Sequence, residues 1–184
     1  MCIRDRGRTG DHFWGYQAHG IVPDMLTFAK GVGNGITLAG IVGRAEIMDT
    51  LPHLSFSTFG GNPLSTAAGL ATLRYVKEAD LQGNAKARGQ QMTARLGPVV
   101  ERTDWIAELR GRGLMQAIET VHPASTEPDK KAAASLLEHA KERGLLIGKG
   151  GLYGNVLRLT PMLNITEQEM DEGLDALIAA IEAV

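Results

Sequence analysis

The spacing of apolar residues changes near residue 80, and this change constrains the fold more than any single motif does. In the first part, short apolar runs such as Met25–Ala29 (MLTFA) and Leu38–Val42 (LAGIV) have the length and bounding residues of buried strands. From Leu81 onward, longer amphipathic helices alternate with strands. The pattern predicts an α/β protein in two parts, residues 1–80 and residues 81–184.

Capping and helix-breaking residues predict where two of the helices begin and end. Asn62 followed by Pro63 predicts an N-cap and the first residue of a helix that runs to about Lys77. Its many small side chains suit close packing against a sheet or another subunit. The next helix begins near Leu81, and the pair Gly97-Pro98 predicts its end.

The second part has the composition of a small α+β unit with two further helices. The spacing from Thr126 to Asp129 predicts a capping box for one helix, and that from Thr166 to Glu169 predicts a capping box for the last. The predicted strands of this part are residues 105–109, 114–121, 145–147 and 156–160.

Composition excludes several classes of protein. The chain has 184 residues, of which 43% are hydrophobic and 22% charged, as in a globular protein. A net charge of -2 gives no general attraction for nucleic acid or for an anionic membrane, so neither partner is expected. The single cysteine, Cys2, cannot form an internal disulfide framework or a cysteine zinc site, and the five histidines lack metal-site spacing, so no metal is expected.

Lys30 is the first candidate for chemistry, because it ends an apolar strand and a glycine-rich segment follows it. An amine at the end of a buried strand can be partly desolvated, which favours attack of its lone pair on a carbonyl. The alternative is an ordinary strand-end lysine that reaches solvent. The glycines at 31, 33 and 35 do not have the G-x-G-x-x-G spacing, so a nucleotide-binding module is disfavoured.

Two further positions have side chains that suit anions. Thr58 lies in the segment Ser55–Leu64, and its hydroxyl and the nearby amides of Gly60 and Gly61 can bind a phosphate. The alternative is an ordinary turn that leads into the following helix cap. Arg158 lies in an apolar strand (VLRLT), where its guanidinium can bind a carboxylate through two hydrogen bonds. The alternative for Arg158 is an outward-facing strand residue.

Four strings in this order resemble the class III (subgroup II) pyridoxal-phosphate-dependent aminotransferases: GRTGDHFWGYQAHGIVPDMLTFAKGVGNG, FSTFGGNPLSTAAGLATL, LRGRGLMQAIE and LRLTP. Within the family, HFWGYQ and STFGGNPL are most similar to the alanine-glyoxylate branch. The resemblance implies the C-terminal part of a type I, aspartate-aminotransferase-like fold. Residues 1–80 would then be the end of the large mixed-sheet domain with an interdomain helix, and residues 81–184 the small α+β domain.

The resemblance also implies roles for the three candidates. Lys30 matches the lysine that forms the internal aldimine with pyridoxal 5'-phosphate, Thr58 the threonine that binds the cofactor phosphate across a homodimer interface, and Arg158 the arginine that binds a substrate carboxylate. The implied activity is ping-pong transfer of an amino group from alanine or a β- or ω-amino acid to glyoxylate or pyruvate. The expected location is the cytoplasm, or the mitochondrion if the parent is eukaryotic.

The N-terminus departs from the family pattern. An aspartate that pairs with the cofactor ring nitrogen precedes the G-R-x-G string in the family, whereas this chain has MCIRDR there, and Asp5 does not match. We therefore expect residues 1–6 to be non-native and the chain to be a C-terminal portion that binds the cofactor weakly by itself. The alternatives are a 4-aminobutyrate or acetylornithine-type aminotransferase, and an inactive truncated fragment.

Overall fold

The computed structural model describes residues 2–3, 6–52 and 56–184, so Asp5 and Ser55 lie outside the described residues. The strands are β1 (Cys2–Ile3), β2 (Met25–Phe28), β3 (Gly40–Gly43), β4 (Ile106–Arg112), β5 (Met115–Thr120), β6 (Gly148–Gly150) and β7 (Val156–Leu159). The α-helices are α1 (Ala45–Met48), α2 (Pro63–Glu78), α3 (Leu81–Glu101), α4 (Lys130–Glu142) and α5 (Glu167–Ile181). Two short 3₁₀ helices span Gly15–His19 and Lys30–Gly33.

The chain divides into two compact units. The first contains the residues up to Gly7 and those from Asp11 to Gln82. The second contains Arg8–Gly10 and Gly83–Val184.

The first unit is built on a three-stranded mixed sheet in the order β1-β2-β3. Strand β2 pairs in parallel with β1 and antiparallel with β3. In α2, Gly69 is buried against Leu38: a Cβ added to this glycine would lie 2.4 Å from the Leu38 Cδ2. A side chain at position 69 would therefore displace the end of the Leu38 side chain, and glycine lets the helix pack closely on the segment that leads to β3.

The second unit is a four-stranded antiparallel sheet, ordered β4-β5-β7-β6, with α3, α4 and α5 packed on one face. Side chains along β5 alternate between buried and half-buried, as expected when one face is covered. The covered face contributes Ile118 and Leu157, both 0% exposed, to a core shared with Leu96 of α3, Leu136 of α4 and Leu177 of α5. The predicted α/β fold class is therefore observed.

Local capping signals account for two helix starts. Asn62 caps α2 by accepting a hydrogen bond from the Ser65 amide at 2.9 Å, with Pro63 as the first helical residue. Thr166 and Glu169 form the predicted reciprocal capping box of α5. Both predictions are confirmed.

The predicted start of α4 is wrong. Asp129 is itself the N-cap and accepts hydrogen bonds from the amides of Lys131 at 2.8 Å and Ala132 at 3.0 Å. The Asp129 amide donates to the Thr120 carbonyl at 3.1 Å. Because the backbone before Asp129 is held beside the end of β5, the helix cannot begin at Thr126.

The predicted end of α3 at Gly97-Pro98 is also wrong, because the helix continues to Glu101 with Pro98 inside it. A proline in a helix interior removes one hydrogen bond and clashes with the preceding turn, at a cost of about 3 kcal/mol. Leu96 and Val99, on either side of Pro98, are 0% and 3% exposed. Their burial in the core favours continuing the helix and offsets the cost of the proline.

The strand predicted at 145–147 is displaced. The sheet pairs residues 148–150 with β7 instead: Gly148 lies opposite Arg158, and Gly150 lies opposite Val156. Leu145 and Ile147 pack against the core as partly buried residues before the strand begins. The apolar residues at 145–147 therefore precede the edge strand.

Candidate active site

Lys30 lies two residues after the end of β2, at the start of the 3₁₀ helix Lys30–Gly33, and has a left-handed backbone, with φ 58°. This conformation costs a residue with a Cβ roughly 1–2 kcal/mol. The Arg6 guanidinium helps to hold the backbone before Lys30 by donating to the carbonyl of Ala29 at 3.3 Å. The Lys30 side chain is exposed, as in the alternative of a strand-end lysine that reaches solvent. A Cβ added to Gly31 would meet only the Arg6 Nη2, at 3.8 Å, so the backbone after Lys30 is open to another group.

Thr58 lies in an exposed turn that leads into α2. Of the two glycine amides expected to bind a phosphate beside it, that of Gly60 donates to the Ser57 carbonyl at 3.1 Å and is therefore occupied. At the start of the helix, the Asn62 side chain already accepts from the Ser65 amide. An anion bound here would therefore use the Thr58 hydroxyl and not the amides of Gly60 and Ser65.

Arg158 lies in β7 on the sheet face opposite the helices, and its side chain is exposed. It faces Ala117 of β5 on one side and Gly148 of β6 on the other. A Cβ added to Gly148 would lie 3.2 Å from the Arg158 Nη2, and one added to Gly150 would lie 3.4 Å from its Nε. The guanidinium therefore extends across β6 over two positions that have no side chain.

Arg158 also borders a pocket of about 180 Å³ within the second unit. Most of the pocket wall is apolar and comes from residues 145–147 and from Met170 and Leu174 of α5. Glu169 lines the same pocket, and hydrogen bonds from the Thr166 amide and hydroxyl lower its pKa. An ionised carboxylate and a guanidinium thus border an otherwise apolar cavity.

A charged network occupies the same sheet face two strands away. Arg110 of β4 pairs with Glu108 and with Glu119 of β5, and the hydrogen bond from Arg110 is the main cause that lowers the pKa of Glu119. Asn155, which is 1% exposed, donates to Glu119 Oε1 at 3.1 Å and to the Thr120 carbonyl at 2.9 Å. No local pattern in the sequence indicates this network, because its members come together only through the register of β4, β5 and β7.

Lys30 and Thr58 lie in the first unit, and Arg158 lies in the second. Within residues 2–3, 6–52 and 56–184, no group of three or more metal-ligating side chains comes together. In the same described residues, no helix has the length and apolar character needed to cross a membrane.

The sequence model of the aminotransferase class-III family matches residues 5–181. The chain belongs to the class III aminotransferases. An Arabidopsis thaliana protein named alanine--glyoxylate aminotransferase 2 homolog 2, mitochondrial, is 42% identical over 172 residues, which cover 92% of this chain and 36% of that protein. A 4-aminobutyrate aminotransferase of Mycobacterium leprae is 40% identical over 183 residues, covering 96% of this chain and 41% of that protein.

Among solved structures, an Arthrobacter phospholyase in complex with phosphoethanolamine superposes with a TM-score of 0.93 at 34% identity. The match covers 98% of this chain and 44% of that structure. The predicted family and the predicted fold, the C-terminal part of a pyridoxal-phosphate-dependent transferase, are confirmed. The chain spans less than half the length of each of these three relatives.

Class III aminotransferases depend on pyridoxal 5'-phosphate, as predicted. The residues of the first unit fit this cofactor in two respects. The Lys30 amine is exposed at a strained strand end beside open glycine backbone, where an aldehyde can approach it. The Thr58 hydroxyl lies in an exposed turn, where it can donate to a phosphate oxygen.

Proposed function

We propose that the protein of which these residues are part transfers an amino group from alanine, or from a β- or ω-amino acid, to glyoxylate or pyruvate in a ping-pong sequence. The observation that carries this proposal is the conformation of Lys30, whose side chain is exposed and whose backbone is left-handed. Lys30 lies within residues 5–181, which match the aminotransferase class-III family. A strained backbone that the fold maintains is common at functional sites. The relative from Arabidopsis thaliana supports alanine and glyoxylate as the substrate pair.

Each proposed residue acts through a specific atom. Lys30 would hold the aldehyde carbon of the cofactor through Nζ, and Thr58 would donate its hydroxyl proton to the cofactor phosphate. The cofactor, when bound, supplies an electron sink that makes the α-proton of an amino acid acidic. The amino group of the substrate would displace Lys30 Nζ from the aldehyde carbon. The freed amine would then remove the α-proton from the substrate Cα as a general base, while Arg158 binds and orients the substrate carboxylate.

A 4-aminobutyrate or acetylornithine-type activity is the second candidate. The relative from Mycobacterium leprae, which is 40% identical, favours the 4-aminobutyrate reaction. Arg158 suits both candidates, because each substrate has a carboxylate. The apolar wall of the pocket beside Arg158 favours a substrate with a short carbon chain over a substrate with a further charged group.

We propose further that the parent protein is a homodimer of the cytoplasm, or of the mitochondrion in a eukaryote, and that Thr58 serves the site of the neighbouring subunit. Phe56 and Phe59, on either side of Thr58, are each 80% exposed, and such aromatic side chains are typically buried against a partner. Sedimentation of the full-length parent would give a dimer mass if this is correct, and a monomer mass would contradict it.

The aldehyde-binding role of Lys30 can be tested on the present chain. We would incubate it with pyridoxal 5'-phosphate, reduce with borohydride and locate the modified lysines by peptide mass spectrometry. We expect Lys30 to be modified in preference to the other lysines as the cofactor concentration is lowered. Lys149→Ala is the matched control, because Lys149 is also exposed and also precedes a glycine.

Lys30→Ala should abolish the preferred adduct, whereas Lys149→Ala should leave it unchanged. Equal labelling of all exposed lysines at every concentration would contradict the proposal. A preferred site that survives in Lys30→Ala would contradict it as well, because the aldehyde would then be held by another amine.

A further inference from the structure

Two arginines lie in one row across the sheet of the second unit. Arg110 of β4 faces Ala117 of β5, and Ala117 in turn faces Arg158 of β7. Neighbouring strands are about 4.8 Å apart, so the two arginine backbones are separated by roughly 10 Å. Only the methyl group of Ala117 lies between them on this face.

The two arginines differ in their partners. Arg110 pairs with both Glu108 and Glu119. In the part of the chain that the structure describes, no carboxylate lies within ion-pair distance of Arg158. One guanidinium in the row is therefore neutralised by two carboxylates, and the other has no carboxylate.

Glu119 is placed where it could neutralise Arg158. It lies in the adjacent row, opposite Val156 and diagonal to Arg158. Diagonal neighbours on one sheet face are roughly 7–8 Å apart, within reach of long side chains. Glu119 would therefore compete for Arg158 if nothing held its carboxylate on the β4 side.

Arg110 holds Glu119 on that side. Its guanidinium contacts Glu119 Oε2 from β4, whereas Asn155, the residue before β7, donates from Nδ2 to Glu119 Oε1 at 3.1 Å. Arg110 also separates two like charges, because Glu108 and Glu119 lie directly opposite each other on β4 and β5. Without Arg110, the repulsion from Glu108 would push Glu119 toward β7.

We propose that Arg110 is a positioning residue: by holding Glu119 on the β4 side of the sheet, it keeps the guanidinium of Arg158 available to an external carboxylate. The biological use of this arrangement rests on the proposed function, in which Arg158 binds a substrate carboxylate. The small Ala117 and the bare Gly148 and Gly150 complete the arrangement, because none of them covers Arg158.

Reactivity toward phenylglyoxal measures the availability of each guanidinium directly. The chain and its variants would be treated briefly with phenylglyoxal, and the rate at Arg158 would be read by peptide mass spectrometry. Arg74, exposed on α2 in the first unit, is the internal reference. The variants are Arg110→Gln, Glu119→Gln and the double substitution, each checked for the parent circular dichroism spectrum.

We expect Arg110→Gln to slow modification of Arg158 relative to Arg74 by roughly two- to fivefold, the change in occupancy that an exposed ion pair produces. The double variant should recover the parent rate, and Glu119→Gln alone should leave it unchanged. An unchanged rate in Arg110→Gln would overturn the proposal. So would a double variant as slow as the single one, because the effect would then be structural and independent of Glu119.

A second measurement separates this proposal from the proposed function. Pyruvate, the probe carboxylate, should protect Arg158 in the parent chain, less in Arg110→Gln and fully again in the double variant. If pyruvate fails to protect Arg158 in the parent, the carboxylate-binding role of Arg158 is refuted. The phenylglyoxal rates still decide whether Arg110 controls Glu119, because they do not depend on a substrate.

Discussion

Asp129 should stabilise the second unit by two separable effects, one from hydrogen bonding and one from charge. Its Oδ1 accepts from the amides of Lys131 and Ala132, two of the four amides that the first turn of α4 leaves without helical partners. Its negative charge also lies at the positive end of the helix dipole. Asp129→Asn retains an acceptor and removes the charge, whereas Asp129→Ala removes both.

Helix-capping energies give the expected magnitudes at neutral pH. Loss of the capping acceptor costs about 1 kcal/mol, within a range of roughly 0.5–2. Loss of the charge costs about 0.3–1 kcal/mol. We therefore expect the free energy of unfolding to fall slightly in Asp129→Asn and by roughly 1–3 kcal/mol in Asp129→Ala.

The difference between the parent and Asp129→Asn should depend on pH. Hydrogen bonds from the backbone, chiefly from Ala132, lower the pKa of Asp129 in the folded state. The charge therefore contributes fully above the ordinary aspartate pKa of about 3.9, and its contribution is lost as the pH falls through the lowered folded value. The parent and Asp129→Asn should therefore converge in stability as the pH falls through the lowered folded pKa of Asp129.

Urea unfolding followed by far-ultraviolet circular dichroism, from pH 7 to pH 3, would measure these differences. His122 Nδ1 lies 3.2 Å from the second carboxylate oxygen of Asp129, so the series should be repeated with His122→Gln. Equal losses in Asp129→Asn and Asp129→Ala at pH 7 would refute the hydrogen-bonding argument. A difference between the parent and Asp129→Asn that persists in acid would refute the charge argument.

Two further substitution pairs test the packing of the second unit, with Gly20 of the first unit as one of the controls. Gly113→Ala should destabilise the second unit by well over 1 kcal/mol, because the residue has φ 52° and its new Cβ would lie 2.4 Å from the Arg8 carbonyl oxygen. Gly20→Ala, at φ 64° with open space around it, should cost only the roughly 1–2 kcal/mol of the backbone conformation; equal losses in thermal unfolding would contradict the steric argument. Leu136→Ala should cost about 2–5 kcal/mol, because the side chain is fully buried in the core. Leu146→Ala, at a position 85% exposed, should change stability by less than about 0.5 kcal/mol, and similar losses for the two leucines in urea would show that the core is misassigned.

Local signals in the sequence were sufficient to predict a helix start where the capping partners are close in the chain. The Asn62 cap of α2 and the capping box from Thr166 to Glu169 are formed by residues three positions apart, so their geometry follows from the helix itself. Local spacing does not predict the helix start near Thr126, because the Asp129 amide donates to the Thr120 carbonyl of β5. It also failed at Pro98, where burial of the neighbouring side chains keeps the helix intact.

The sequence by itself determined the family, the alternation of helices and strands, and the three candidates Lys30, Thr58 and Arg158, because each depends on residue type and short spacing. Only the tertiary structure decided the surroundings of those candidates. Lys30 has a left-handed backbone. The guanidinium of Arg158 extends over Gly148 and Gly150, and Arg158 lies in the same cross-strand row as Arg110. Strand register sets the contacts of Arg158, and register depends on packing between segments that are distant in the chain.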